Sequence, residues 1–167
     1  LFDLMARLRR PYANYRRAFG HELEPRFESQ DMLVLGVNTT RPWRHQHGEV
    51  SHRQIERVAR QLQAADARQL RIVVVHHPVA LIEASDRINL LRGRGVAIAR
   101  WADAGADLIL GGHIHLPYVT ELGLERASAH RVWTAQAGTA LSSRVRGDFP
   151  NSVNLVRHCA ASGAAST

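Results

Sequence analysis

The chain has 167 residues, 45% of them apolar, which suits one domain with a buried core and excludes a disordered polar segment. Its net charge of +7 comes from 22 basic residues that are all arginine. The absence of lysine excludes Schiff-base chemistry, and the scatter of the arginines argues against a specific nucleic-acid face. One cysteine, Cys159, excludes an internal disulfide and fits a reducing, cytoplasmic setting, and no stretch approaches the ~20 apolar residues of a membrane span.

At the start, Leu1, Met5, Leu8, Tyr12, Tyr15 and Phe19 recur three and four residues apart, a helical pattern interrupted at Pro11. Arginines interleave with the apolar residues there, which is not the order of a signal peptide. The apolar run between Asp31 and Asn38 predicts a buried strand, followed by a polar loop that carries Trp43, His45 and His47. Ser51 with Gln54 forms a capping-box signature, and Ile55, Val58, Ala59, Leu62 and Ala65 then share one face, predicting a helix to about Ala67.

Leu70 to Val75 predicts a second strand, its continuous apolar character pointing to a parallel sheet covered on both faces. Gly95 to Ala104 predicts a helix ending at Gly105, and Asp107 to Leu110 a third strand. Tyr118 to Leu122, Arg131 to Gln136 and Ser152 to Arg157 predict three further strands, read as antiparallel neighbours in a second β layer. The pattern is α/β, a single domain over 1–159 with a disordered tail at 160–167.

Placement singles out three of the ten histidines. His76 follows the second strand directly, and His113 and His115 follow the third, at the edge of an α/β sheet where ligands bind. Imidazoles converging from two strand tips suit a first-row metal ion, and Gly111-Gly112 is expected to let the backbone turn tightly there. Pro78 holds His77 extended, which suits orienting a ligand or facing substrate. Arg144 and Arg146 match phosphate oxygens in geometry, against the plainer reading of exposed loop arginines. His45, His47 and His52 are expected to be exposed, and Asp86 and Asn89 receive no role.

The sequences VVVHHP and DLILGGHIH resemble two metal-binding motifs of the calcineurin-like metallophosphoesterases, in the family's order and spacing. GVNT at 36–39 and AGTALSSRVRGDFPNSVNLV at 137–156 resemble segments of its bacterial cyclic-nucleotide-phosphodiesterase-like members, so the resemblance covers Met32 to Val156. It implies an αββα sandwich, here lacking its first strands. It also implies a centre of two divalent or trivalent ions (manganese, iron or zinc) that activates water for in-line attack on phosphorus. His76 and His113 would bind one ion and His115 the other.

The chain departs from the family pattern in an important way. Asp-x-His, Gly-Asp-x-x-Asp and Gly-Asn-His followed by an acid do not occur, so the bridging carboxylate and the general-acid histidine are missing and no catalytic residue is assigned. The expectation is a phosphoric ester hydrolase seen in part, acting on a small phosphate ester, with at most one loosely held ion on this chain alone. The alternative is a truncated, non-catalytic binding module with the same half-fold.

Overall fold

The structure is a computed structural model that describes residues 10–42, 47–123, 130–146 and 148–159. The first turns of the expected N-terminal helix, Trp43, His45 and the expected tail at 160–167 lie outside the described residues. What remains of that helix is α1, Ala13–Phe19, which begins after Pro11 and ends at Gly20.

Six strands form one mixed sheet: β1 (Arg26–Glu28), β2 (Met32–Gly36), β3 (Leu70–Val74), β4 (Leu108–Gly111), β5 (Tyr118–Glu121) and β6 (Trp133–Gln136). Their spatial order is β1-β2-β3-β4-β6-β5. The strands β2, β3, β4 and β6 run parallel, with Val34 beside Ile72, Val73 beside Ile109, and Ile109 beside Thr134. The edge strands β1 and β5 pair antiparallel with β2 and β6. β1 escapes the sequence reading because its three residues are all exposed and carry no alternation.

Two helices connect the parallel strands. The first, α2 (His52–Gln63), opens on the expected capping box, in which Ser51 Oγ accepts from Gln54 N and Gln54 Oε1 accepts from Ser51 N. It stops short of Ala67 because Asp66 closes a local turn, its carboxylate accepting from Arg68 N and its carbonyl from Gln69 N. The second, α3 (Arg94–Asp103), ends as expected at Gly105, which takes φ 92°. Gly105 N donates to the Ala102 carbonyl and Ala106 N to the Trp101 carbonyl, the paired bonds of a Schellman closure.

Both helices lie on one face of the sheet. Ile55, Val58 and Leu62 of α2 and Ala97 and Trp101 of α3 join Leu33, Leu35, Val73 and Ile109 in the main core. The indole of Trp101, fully buried, donates to the Ile55 carbonyl and so ties the two helices together. On the opposite face Ile72, Leu108 and Ala135 are buried, while Val34, Leu70, Val74 and Leu110 are only partly so. Among the described residues the sheet is therefore fully covered on one side only, not on both as the run LRIVVV suggests.

Two further expectations are corrected. The C-terminal strands build no second layer among the described residues: β6 inserts between β4 and β5, parallel to β4. The segment Ser152–Arg157 forms no strand: both sides of β6, beside which it runs, are already paired. It attaches through Ser152 N to the Thr139 carbonyl and through the Asn154 amide to the Gln136 carbonyl, leaving Val153 and Leu155 exposed.

Candidate metal centre

Parallel pairing brings the carboxyl ends of β2, β3, β4 and β6 to one edge, and backbone bonds continue past the strand ends. Val37 N donates to Val74 O, Val75 N to Leu110 O, Gly112 N to His76 O and Ala137 N to Gly111 O. The bond from Gly112 to the His76 carbonyl, at 3.0 Å, joins the two histidine-bearing loops directly.

The rings converge as a result. His76 Nε2 and His113 Nδ1 are 3.1 Å apart, and the His77 ring centroid lies 4.7 Å from that of His113 and 4.9 Å from that of His76. One nitrogen from each of the three residues falls within 4.8 Å of the others. Two imidazole nitrogens bound to one tetrahedral zinc ion stand about 3.3 Å apart, so the His76–His113 pair has the spacing of two ligands on one ion.

His77 is the deepest of the three, at 4% exposure. Its Nδ1 is 2.8 Å from Oγ1 of the buried Thr39 in the loop that follows β2. With Nδ1–H donating to that hydroxyl, the lone pair on Nε2 is left for an ion, the arrangement by which an outer partner orients a metal-binding imidazole. Gly48 packs flat on the same ring: a Cβ there would lie 2.1 Å from His77 Nδ1. Gly48 does not stand out in the sequence and Thr39 does so only as the last residue of GVNT, because their importance comes from contacts with a ring almost thirty and forty residues away.

The tight turn is made by the histidines themselves. His113 has φ 75° and His115 φ 59°, while neither Gly111 nor Gly112 has a positive φ. Ile114 N donates to the Gly112 carbonyl across His113, closing a γ-turn. A side chain held in this region costs about 1–2 kcal/mol, strain that surrounding structure tolerates where it positions a functional group. Gly111 is needed for a different reason, since a Cβ there would meet Gln136 Oε1 at 2.3 Å.

His115 stays outside the three-ring group. Its Nδ1–H donates to the Arg144 carbonyl at 2.7 Å, which turns Nδ1 away from the other rings. It lines, with His76, His113, Arg144, Val145 and Arg146, a cleft of about 540 Å³. The guanidinium of Arg144 has no ion pair among the described residues. Arg146 is committed elsewhere: Nη1 binds Asp86 Oδ1 at 2.5 Å and Nη2 binds Glu83 Oε2 at 2.8 Å. His47 donates to the Ile88 carbonyl, and His52 is exposed.

Asp86, given no role from the sequence, is 3% exposed; Oδ1 accepts from Arg146 and Asn89, and Oδ2 has no partner among the described residues. Its charge opposes the lowering of the His113 pKa. Burial, and after it the Asp86 charge, pushes the Tyr118 hydroxyl up to about 12.

The three clustered histidines all have lowered pKa values. Burial is the leading cause, followed by mutual repulsion with His113 and His115 at His76, and with His115 at His113. His77 is pushed down to about 3 by burial and by the charges that His76, His113 and His47 would carry. At neutral pH the rings are therefore neutral and able to donate lone pairs to a cation. An unfolded His77 takes up a proton near pH 6.5, while the folded one resists to about pH 3, so folding stability is complete above 6.5 and is lost as pH falls through that window. Denaturant melts of metal-free protein are expected to show a loss of about 1 kcal/mol between pH 6.5 and 5.5, with a shallower slope in a His77→Gln variant.

No family model matches the chain. No curated protein matches it either. The fold is α/β, and among the described residues no helix is long and apolar enough to cross a membrane.

Proposed function

We propose that the chain carries the imidazole half of a metal-dependent phosphoric ester hydrolase site of the calcineurin-like type. The single observation behind this reading is the 3.1 Å approach of His76 Nε2 to His113 Nδ1 from the tips of two separate strands. In the metal-free protein one N–H is shared between these nitrogens. When that proton moves to the other nitrogen of its own ring, both facing nitrogens present lone pairs and the pair of neutral imidazoles becomes two ligands for a cation, with His77 as a third. A bound first-row ion would supply Lewis-acid stabilisation of phosphoryl oxygens and activation of water.

The chain's own residues hold that position. Thr39 and Gly48 lock the His77 ring, the Gly112 to His76 bond fixes the two loops, and the closing segment covers the cleft through Arg144 and Arg146. The αββα sandwich belongs to the same reading: a second β layer has a place on the half-covered face around Ile72, Leu108 and Ala135. Iron and zinc suit the nitrogen donors, manganese comes with the family the sequence resembles, and a small phosphate ester such as a cyclic nucleotide is the substrate class that resemblance implies.

The group of three contains no carboxylate, and this favours the second reading, a binding module without turnover. Calorimetry with manganese or zinc is expected to show one weak site per chain; two tight sites would contradict the charge argument. Loading manganese should raise the affinity for inorganic phosphate, and that increment should vanish in His76→Ala. A missing increment sinks the phosphoester reading. Turnover of bis-p-nitrophenyl phosphate, present only with added metal, separates the hydrolase from the silent module.

A further inference from the structure

Three concavities adjoin along one side of the molecule. The histidine cleft shares His76 with a pocket of about 310 Å³ lined by Tyr12, Tyr15, Leu23 and Val37. That pocket shares Leu23 and Asn38 with a third cavity of about 570 Å³, beside α1 and the start of α2. The third cavity is lined by four guanidinium groups, from Arg16, Arg41, Arg53 and Arg57, against the two carboxylates of Glu22 and Glu24.

The carboxylate of Glu24 is fully used by the local structure. It pairs with Arg57 and accepts from the Gln54 amide and from Asn38 N. Arg41 is held by the Asn38 and Thr40 carbonyls and by Gln54. Glu22 Oε1 accepts from Glu24 N. These bonds build a wall, and they leave Arg16 and Arg53 lining the cavity with no ion pair among the described residues. Two unpaired guanidinium groups lining one cavity can match phosphate oxygens in shape and charge, and a cavity of this volume is that of a small-molecule site.

We infer that this cavity is an anion subsite, holding a second phosphate group of an ester whose flat apolar body lies over Tyr12 and Tyr15 and whose scissile end reaches His76. The inference rests on the phosphoester reading for the scissile end, while the anion subsite itself needs no metal. The substrate class narrows to phosphate esters that carry a further anionic group beyond an aromatic or apolar middle.

The test is titration of the full chain, stripped of metal with a chelator, with adenosine 3′,5′-bisphosphate. Arg16 and Arg53 are exposed, so an Arg16→Gln/Arg53→Gln double variant should melt like the parent. The double variant is expected to bind the bisphosphate at least tenfold more weakly, with adenosine affinity unchanged, and His113→Ala is expected to bind it as the parent does. Equal bisphosphate affinity in parent and double variant, or no binding by the parent, overturns the subsite. Arginine-dependent binding together with a failed zinc titration would keep the subsite and sink the phosphoester reading; zinc binding without it would do the reverse.

Discussion

His113→Ala is expected to lower the affinity for zinc or manganese at least a hundredfold, the largest single effect at this site, read by calorimetry at pH 7. Removing one of three imidazoles takes away a ligand, and it also breaks the 3.1 Å pairing that keeps His76 Nε2 in place. His113→Gly provides an internal control. At φ 75° an alanine keeps the backbone strain and a glycine releases it, so the glycine variant should be more stable than the alanine variant by about 1 kcal/mol and equally poor at binding the ion. Equal stability of the two would show that the γ-turn is not held in the strained form.

The second large effect is expected from Gly48→Ala, a change of one methyl group outside the histidine cluster. The new Cβ would stand 2.1 Å from Nδ1 and 2.3 Å from Cγ of His77, and neither side can easily give way. Thr39 pins the ring, while the carbonyl of Gly48 accepts from Arg92 N and the next residue donates to the Thr39 carbonyl. Overpacking of this kind costs about 1–3 kcal/mol, and the displaced ring should also weaken ion binding about tenfold or more. Both readouts are needed: a loss of stability with ion affinity intact would remove His77 from the ligand group.

The charge balance explains why such modest changes should matter. Three neutral imidazoles offer lone pairs but no negative charge, and the nearby buried carboxylate, Asp86, is held by Arg146 and Asn89 rather than by the histidines. A site of this kind depends on ligand placement because it has no electrostatic reserve.

Much of the scaffold was legible from local signals. The capping box at Ser51, the left-handed closure at Gly105 and the apolar runs of β2, β3 and β4 are short-range features, and their elements fall within a few residues of where the pattern puts them. The strand-tip positions of His76 and His113 follow from the same runs. The sheet's far side was not legible, because whether β6 pairs with β4 or starts another layer depends on long-range partners rather than on the residues WTAQ.

By itself, then, the amino-acid sequence determined an α/β chain with imidazoles at adjacent strand ends and no lysine, since periodicity, capping and composition act within a few residues. Only the tertiary structure decided which rings meet: His77 joins His76 and His113, His115 turns to the Arg144 carbonyl, and Arg146 goes to Asp86. The physical reason is that ring orientation is set by contacts from distant segments, Thr39 and Gly48 for His77 and the closing segment for His115, which no local pattern encodes.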